Sequence, residues 1–203
     1  MWDKVLIYSK QTGVPSTPLT ARIEWQADGT IIPCLYWTPD GSCYKIKHIY
    51  ECTKLAYLKE KGDGIRFKVK AVCIETPEPY SNHRQTQDEV YLYFADNWFC
   101  SRNIIDERYA HAGKEYISVT LDVFPDCDYE LIYFCFKEKR YYVEKTLAVE
   151  PRGSFNTGGI GIWHKVDARL INNANDEDSY KNIRREAALY FEINKWFVAV
   201  KKI

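Results

Sequence analysis

The sequence predicts a mostly β protein made of two tandem antiparallel units. Each unit is expected to be a small sheet or barrel of about five or six strands, with at most short helices. Three observations support this prediction: the chain matches itself at an offset of 97 residues, charged and apolar residues alternate in several segments, and aromatic residues make up 15% of the chain. Alternation indicates half-buried strands, and aromatic residues are common in strands.

The internal repeat is the strongest signal in the sequence. Residues 35–97 align without a gap on residues 132–194, and 14 of these 63 positions are identical. Unrelated sequences of ordinary composition would share roughly 4. Examples of the identical pairs are Tyr36/Tyr133, Gly64/Gly161, Lys68/Lys165 and Tyr93/Tyr190. We therefore predict two units with one fold, residues 1–101 and 102–203.

The first unit contains recognisable strands and a turn. Leu35–Trp37 is a short aromatic strand, and Thr38–Gly41 predicts a tight turn after it, because its proline fixes φ and its glycine accepts positive φ. Lys137–Lys139 is the corresponding turn of the second unit. Tyr44–Lys47 and Arg66–Ala71 alternate charged and apolar residues, so they predict half-buried strands.

Other segments are assigned with help from the repeat. Tyr180–Tyr190 alone has helical propensity, but its partner Arg84–Tyr93 ends in a strand pattern. Two copies of one fold should agree, so we predict strands for both. Leu55–Lys61 predicts a short helix or helical turn, whereas Val90–Phe94 and Asp96–Cys100 predict a closing hairpin.

The first repeat resembles a known group of domains. The first repeat contains five elements in this order: an aromatic strand with Trp37, a glycine turn, a strand beginning at Tyr44, the Gly-x-Gly-x-Arg strand Gly62–Val69 and an aromatic hairpin ending Trp98-Phe99. This series, over roughly residues 20–100, resembles short bacterial β-domains of unknown function. The resemblance implies the fold and carries no activity.

Composition limits the possible partners. The chain has 28 basic and 28 acidic residues, so no overall charge draws it to nucleic acid or to an anionic membrane. Mean hydropathy is -0.43, and no run of about 18 apolar residues is present. The start of the chain lacks the pattern of a signal peptide. We expect a cytoplasmic protein with no membrane partner.

The main candidate site is a basic strand face in the first repeat. Its residues are Lys45, Lys47, Arg66, Lys68 and Lys70. Period two places the first two on one face of a strand and the other three on one face of another. If those faces are neighbours, they form an anion-facing patch that could follow a phosphate backbone, with Tyr44 and Trp37 near enough to stack. An ordinary solvated face is the alternative, and the second repeat favours it, because Trp163 and Asp167 replace two of the cations.

The sequence predicts no cofactor and no metal site. The seven cysteines contain no Cys-x-x-Cys pair, and the four histidines lack metal-binding spacing. Reduced, mostly buried thiols are expected. Asn156–Gly161 predicts a turn rather than a phosphate-binding loop, and Asn172–Ser179 a solvated loop rather than a calcium site.

Three functions follow from these features. The leading prediction is a non-enzymatic module that binds another protein. The first alternative is a nucleic-acid-binding protein that uses the basic face of the first repeat. The second is an enzyme with a site in the cleft between the repeats, where Trp163, His164 and His111 could meet. The sequence does not specify the oligomeric state.

Overall fold

The fold is described from a computed structural model of the whole chain. The residues it describes are 5–8, 15–58, 62–77, 86–95, 116–125, 128–153, 160–171, 184–192 and 195–199. These residues contain thirteen β-strands and no helix. The prediction of a mostly β protein is confirmed.

The strands have the following bounds. In the first half of the chain they are β1 Val5–Tyr8, β2 Pro15–Pro18, β3 Thr20–Trp25, β4 Ile31–Trp37, β5 Cys43–Leu58, β6 Gly62–Glu75 and β7 Thr86–Ala95. In the second half they are β8 Tyr116–Val123, β9 Tyr129–Phe136, β10 Lys139–Gly153, β11 Ile160–Ile171, β12 Arg184–Glu192 and β13 Lys195–Ala199. The first half therefore has seven described strands, where five or six were predicted, because β1 and β2 have no counterpart among the described strands of the second half.

The chain forms two compact units. The first comprises Met1–Ile23, Ile32–Arg102 and Asp122–Glu130, and the second comprises Glu24–Ile31, Asn103–Leu121 and Leu131–Ile203. Strands of the first unit are hydrogen-bonded in the order β4-β5-β6-β7-β1-β2. Strands that lie wholly or mainly in the second follow the order β13-β12-β11-β10-β9-β8, and β13 also pairs with β8. The strand pairs with a described register are antiparallel.

Alternation along the strands separates a buried face from an outer one. In β6, Phe67, Val69 and Ala71 are almost fully buried, whereas the three charged residues that alternate with them are half-buried. In β11, Val166 and Ala168 are likewise inaccessible. Because successive strand residues point to opposite faces, each of these strands has its apolar side chains in the core.

The register of β5 against β6 is interrupted four times, and two of these β-bulges have counterparts in β10 at positions 97 residues further on. At these two, Lys47 and Tyr50 are the extra residues in the register of β5 against β6. Glu144 and Leu147 are the extra residues in the register of β10 against β11. Each bulge shifts the alternation by one residue, so it changes which side chains of the long strand lie on the outer face.

The hairpin turn of each half is present, but the two turns differ in length. Gly41 has a φ of +84° in the turn after β4, as its position predicts, and Trp37 pairs with Cys43. In the second half, Lys137 and Glu138 form a two-residue turn with φ of +49° and +61°. Positive φ at both central residues is the geometry of a tight hairpin turn.

This difference in turn length moves β9 by one residue relative to β4. In the first half Tyr36 pairs with Tyr44 and is fully buried. Its repeat partner Tyr133 is half-buried, and Phe134 takes the buried position, paired with Tyr141. A shift of one residue exchanges the two faces of a strand. The paired rings are nevertheless stacked in both halves, with centroids 4.9 Å apart for Tyr36 and Tyr44 and for Phe134 and Tyr141.

One element was predicted wrongly, and one difficult prediction is confirmed. The helix expected at Leu55–Lys61 is absent from its described part, because Leu55–Leu58 continues β5 and pairs with Gly62–Gly64. Pairing of this segment of β5 with the glycines of β6 outweighs the helical propensity of Leu-Ala-Tyr-Leu. Arg184–Glu192 is a strand, as its repeat partner indicates. Asp96–Cys100, residues 154–159 and Asn172–Ser179 lie outside the described residues.

Candidate functional site: a charged and tyrosine-bearing strand face

The three basic residues of β6 share its outer face. Arg66, Lys68 and Lys70 are half-buried and alternate with core residues, as period two predicts. On the neighbouring strand β7, Tyr91 is paired with Lys68 and is half-buried. We use the term β6 face for this surface of β5, β6 and β7.

The bulges in β5 determine what lies beside those cations. Lys70 is opposite His48, Lys68 is opposite Glu51 and Arg66 is opposite Thr53. Unbroken alternation would not have placed His48, Glu51 and Thr53 together. The strand therefore contributes a carboxylate, and not a lysine, beside the centre of the β6 face.

Two ion pairs neutralise part of the basic charge. Arg66 Nη2 lies 3.1 Å from Glu51 Oε1, and Lys68 Nζ lies 2.9 Å from Glu89 Oε1. The hydroxyl of Thr53 donates to Glu51, and this bond and Arg66 lower the pKa of that carboxyl. The hydrogen bond to Glu89 raises the pKa of Lys68. The carboxylate side chains are the more exposed partners, at 47% for Glu51 and 61% for Glu89.

Tyrosine rings lie next to these cations. The Lys68 ammonium is 6.0 Å from the ring centre of Tyr50 and 5.9 Å from that of Tyr91. The Arg66 guanidinium is 5.4 Å from the Tyr91 ring. Tyr50 is 48% exposed at its bulge, and His48 packs edge-on against it at 4.7 Å. Cation-π contacts of this kind hold long side chains in place at a surface.

The aromatic residues expected to stack with a ligand are differently placed. Tyr44 is buried and stacked on Tyr36, with burial raising its pKa, so its ring is not part of the exposed surface. Trp37 is half-buried, and the Arg22 guanidinium covers its ring at 5.4 Å. Tyr50 and Tyr91 take the places that the sequence suggested for Tyr44 and Trp37.

Lys45 and Lys47 are placed differently from the cations of β6. Lys45 and Lys47 are both exposed. Lys45 pairs with Val72, so the outer face of the sheet continues past Lys70 towards it. Neither lysine forms an ion pair with a residue in the described part of the chain. They add positive charge next to the β6 face that its glutamates do not neutralise.

The corresponding surface of the second unit differs in charge. Trp163 and Asp167 occupy the positions of Arg66 and Lys70, and Lys165 is the one retained cation. Arg169 lies 3.2 Å from Glu144 and 5.9 Å from the ring centre of Tyr142. Cation, carboxylate and tyrosine again occur together, but two of the three cations of β6 have no basic counterpart in β11.

His164 is a core residue. It is 2% exposed, lies on the same side of β11 as Val166, and its ring centre is 5.1 Å from that of the fully buried Trp196. Burial lowers its pKa to about 4. His164 takes the position of Phe67 in the repeat, which explains its location among apolar residues.

This burial predicts a pH dependence of stability. In the unfolded chain the imidazole has its ordinary pKa of about 6.5, so the unfolded state binds the proton first as pH falls. Stability is therefore lost progressively between about pH 6.5 and pH 4. We expect the free energy of unfolding to fall by about 2 kcal/mol more in the wild type than in His164→Phe between about pH 7 and pH 5. Urea unfolding at both pH values measures it, and equal losses in the two proteins would contradict it.

The remaining sequence candidates give no second site among the described residues. No group of three or more histidine, cysteine, aspartate or glutamate side chains with metal-binding geometry occurs there. All five described cysteines are free thiols. The expectation that most would be buried is wrong for them, because Cys43 and Cys73 are buried, Cys34 is intermediate, and Cys52 and Cys135 are exposed. His83 and His111 lie outside the described residues.

The fold and the β6 face together define an all-β protein with a surface of mixed charge and exposed tyrosine. Comparison with known proteins adds no relative: no protein-family model, curated protein or solved structure matches the chain. Nor do the described residues include a helix long and apolar enough to cross a membrane.

Proposed function

We propose that this chain is a non-enzymatic, cytoplasmic, duplicated β-module that binds another protein through the β6 face. The observation that carries the proposal is the exposed Tyr50, held at a bulge beside cations that are already paired with glutamates. Tyrosine and arginine are enriched at protein interfaces, where their rings and planar groups bury large areas with little loss of conformational freedom.

The duplication is part of the proposal. Bulges at Lys47 and Tyr50 have counterparts 97 residues on, at Glu144 and Leu147. Bulges within a family tend to be conserved, so equal positions favour descent of the two halves from one unit. The additional pairing of Trp196 with Ile117 joins the last strand of the second unit to its first, which favours a barrel.

Protein is a better partner than nucleic acid for this surface. The side chains of Glu51 and Glu89 are more exposed on the β6 face than those of Arg66 and Lys68. A phosphate backbone following the strand would meet both carboxylates, and the repulsion offsets the attraction of the cations. A protein partner can place a donor or cation over each glutamate and apolar groups over Tyr50.

Site-specific photo-crosslinking tests the proposal, because a covalent adduct forms only with a protein that contacts the labelled position. Benzoylphenylalanine is introduced at Tyr50 and, as a matched control, at the exposed bulge residue Leu147. In irradiated cells we expect a discrete protein adduct from position 50 that is absent from position 147. Lys68→Glu/Lys70→Glu should abolish the adduct because it removes both the Glu89 pair and the contacts to tyrosine.

Two results would overturn the proposal. The first is the absence of any discrete adduct from position 50. The second is salt-sensitive binding of a labelled mixed-sequence oligonucleotide, by fluorescence anisotropy, that Lys68→Glu/Lys70→Glu weakens; this outcome would assign the face to nucleic acid.

A further inference from the structure

The β6 face is asymmetric in charge along its length. At the end formed by Arg66 and Lys68, each cation has a glutamate partner. At the other end, Lys45, Lys47, His48 and Lys70 come together across β5 and β6, because His48 pairs with Lys70 and Lys45 pairs with Val72. We call these four residues the lysine end. Two of its lysines, Lys45 and Lys47, form no ion pair with a described residue.

Two exposed apolar side chains flank the lysine end. Ile74 is 53% exposed at one limit, where β6 itself has an irregular register, and Tyr50 is 48% exposed at the other. Tyr50 lies between the pairs that involve Val69 and Lys68, so five or six residues of β6 separate it from Ile74. At about 3.3 Å per residue the two side chains are roughly 17 Å apart along the strand.

We propose that the lysine end binds an extended acidic segment of the partner protein, with one apolar side chain of that segment on Ile74 and another on Tyr50. This inference rests on the proposed function and specifies its partner. The carboxylates of the segment lie over Lys45 and Lys47, while its apolar residues, about five positions apart in extended chain, reach both ends of the strip.

The length of the strip favours an acidic peptide over a nucleic acid. Among the described side chains of β5, the lysines without a carboxylate partner are Lys45 and Lys47, and Glu51 follows on the same strand. A short acidic cluster can stop before Glu51, whereas a polyanion with a charge at every nucleotide continues over it. Tyr50 and Ile74 add apolar contacts that a phosphate backbone does not use.

A synthetic peptide tests the proposal directly. The probe is a fluorescein-labelled peptide of about ten residues with four glutamates between two leucines, and its affinity is measured by fluorescence anisotropy. One control peptide has glutamine for glutamate and another has alanine for leucine. Lys45→Glu/Lys47→Glu is compared with Lys139→Glu/Lys145→Glu, which makes the same charge change at exposed positions of β10.

The expected result has three parts. The acidic peptide binds, each control peptide binds at least about tenfold more weakly, and Lys45→Glu/Lys47→Glu reduces affinity at least about tenfold while the β10 variant does not. Affinity also falls with added salt. Unchanged urea midpoints for both variants establish that the substitutions leave the fold intact.

Other outcomes overturn the inference. Equal binding of the glutamine peptide, or equal loss in both lysine variants, would remove the role of the lysine end. Displacement of the peptide by a mixed-sequence oligonucleotide at lower concentration would assign the strip to nucleic acid. A Tyr50 adduct in cells without peptide binding would reject the acidic partner and leave the proposed function standing, whereas the absence of both would reject both.

Discussion

Replacing Asp122 by alanine is expected to lower the free energy of unfolding by about 2–3 kcal/mol. Asp122, at the end of β8, accepts two hydrogen bonds from Arg22 of β3, at 2.6 Å from Nε and 2.7 Å from Nη2. Both residues belong to the first unit, and their side chains are only 13% and 27% exposed. The substitution removes a two-point ion pair and leaves the guanidinium without its carboxylate in a partly desolvated position.

A double-mutant cycle with Arg22→Ala separates the pair from its surroundings. We expect the double variant to be more stable than the sum of the single losses predicts, with a coupling energy of about 1.5–3 kcal/mol from urea unfolding. Additive losses would mean that Asp122 and Arg22 stabilise the unit independently. Arg22 also covers Trp37, so part of its own loss will not appear in the coupling.

Gly64→Ala is the second substitution with a large expected effect. A Cβ at position 64 would lie 2.5 Å from the Tyr93 hydroxyl oxygen and 2.6 Å from the adjoining ring carbon. Tyr93 is fully buried, so its ring has no solvent-facing position to move into. We expect a loss of about 2–3 kcal/mol in the free energy of unfolding, as for other overpacked sites.

Tyr93→Leu in the Gly64→Ala background provides the control. The smaller side chain removes the ring atoms that the new methyl group would meet. The cost of Gly64→Ala should therefore be much smaller in the Tyr93→Leu protein than in the wild type, by calorimetric or urea unfolding. If Gly64→Ala lowered the free energy of unfolding equally in the two backgrounds, the loss would come from the backbone at position 64 and not from contact with the Tyr93 ring.

Most of the fold could be predicted from the sequence because each repeated segment occurs twice, and the two copies could be compared. Arg184–Glu192 has helical propensity on its own, and only its partner in the first half identified it as a strand. Gly64 and Tyr93 are both repeated, at Gly161 and Tyr190. A repeated glycine with a repeated aromatic on the next strand is a signal for a ring packed over a glycine, and it could have been found.

The composition of the β6 face was harder to predict than its existence. Alternation correctly placed Arg66, Lys68 and Lys70 on one side of β6. It could not show the bulges at Lys47 and Tyr50, because a bulge depends on pairing with another strand and leaves no fixed residue pattern. Without them, Glu51 could not be placed beside Lys68, and Tyr50 could not be identified as the exposed ring.

Glu89 was missed for a similar reason. Glu89 has a φ of +61° and lies between Val90 and Gln87, where the register of β7 against β6 is irregular. At this position its carboxylate forms the ion pair with Lys68. Positive φ at a glutamate is uncommon and has no local sequence signal. The one-residue shift of β9 could not be predicted either. The two repeats align without a gap across this turn, although the turn has a different length in each half of the structure.

The irregularities of the strands give a relative chronology on the proposed duplication. Bulges present in both halves, at Lys47 and Tyr50 and at Glu144 and Leu147, date from the ancestral unit. The turn at Lys137 and the irregularity beside Glu89 differ between the halves, so each of these places changed in one of the two copies after they diverged. The ion pair that Glu89 makes with Lys68 therefore lies at a place where the two copies have diverged, on a strand that both of them keep.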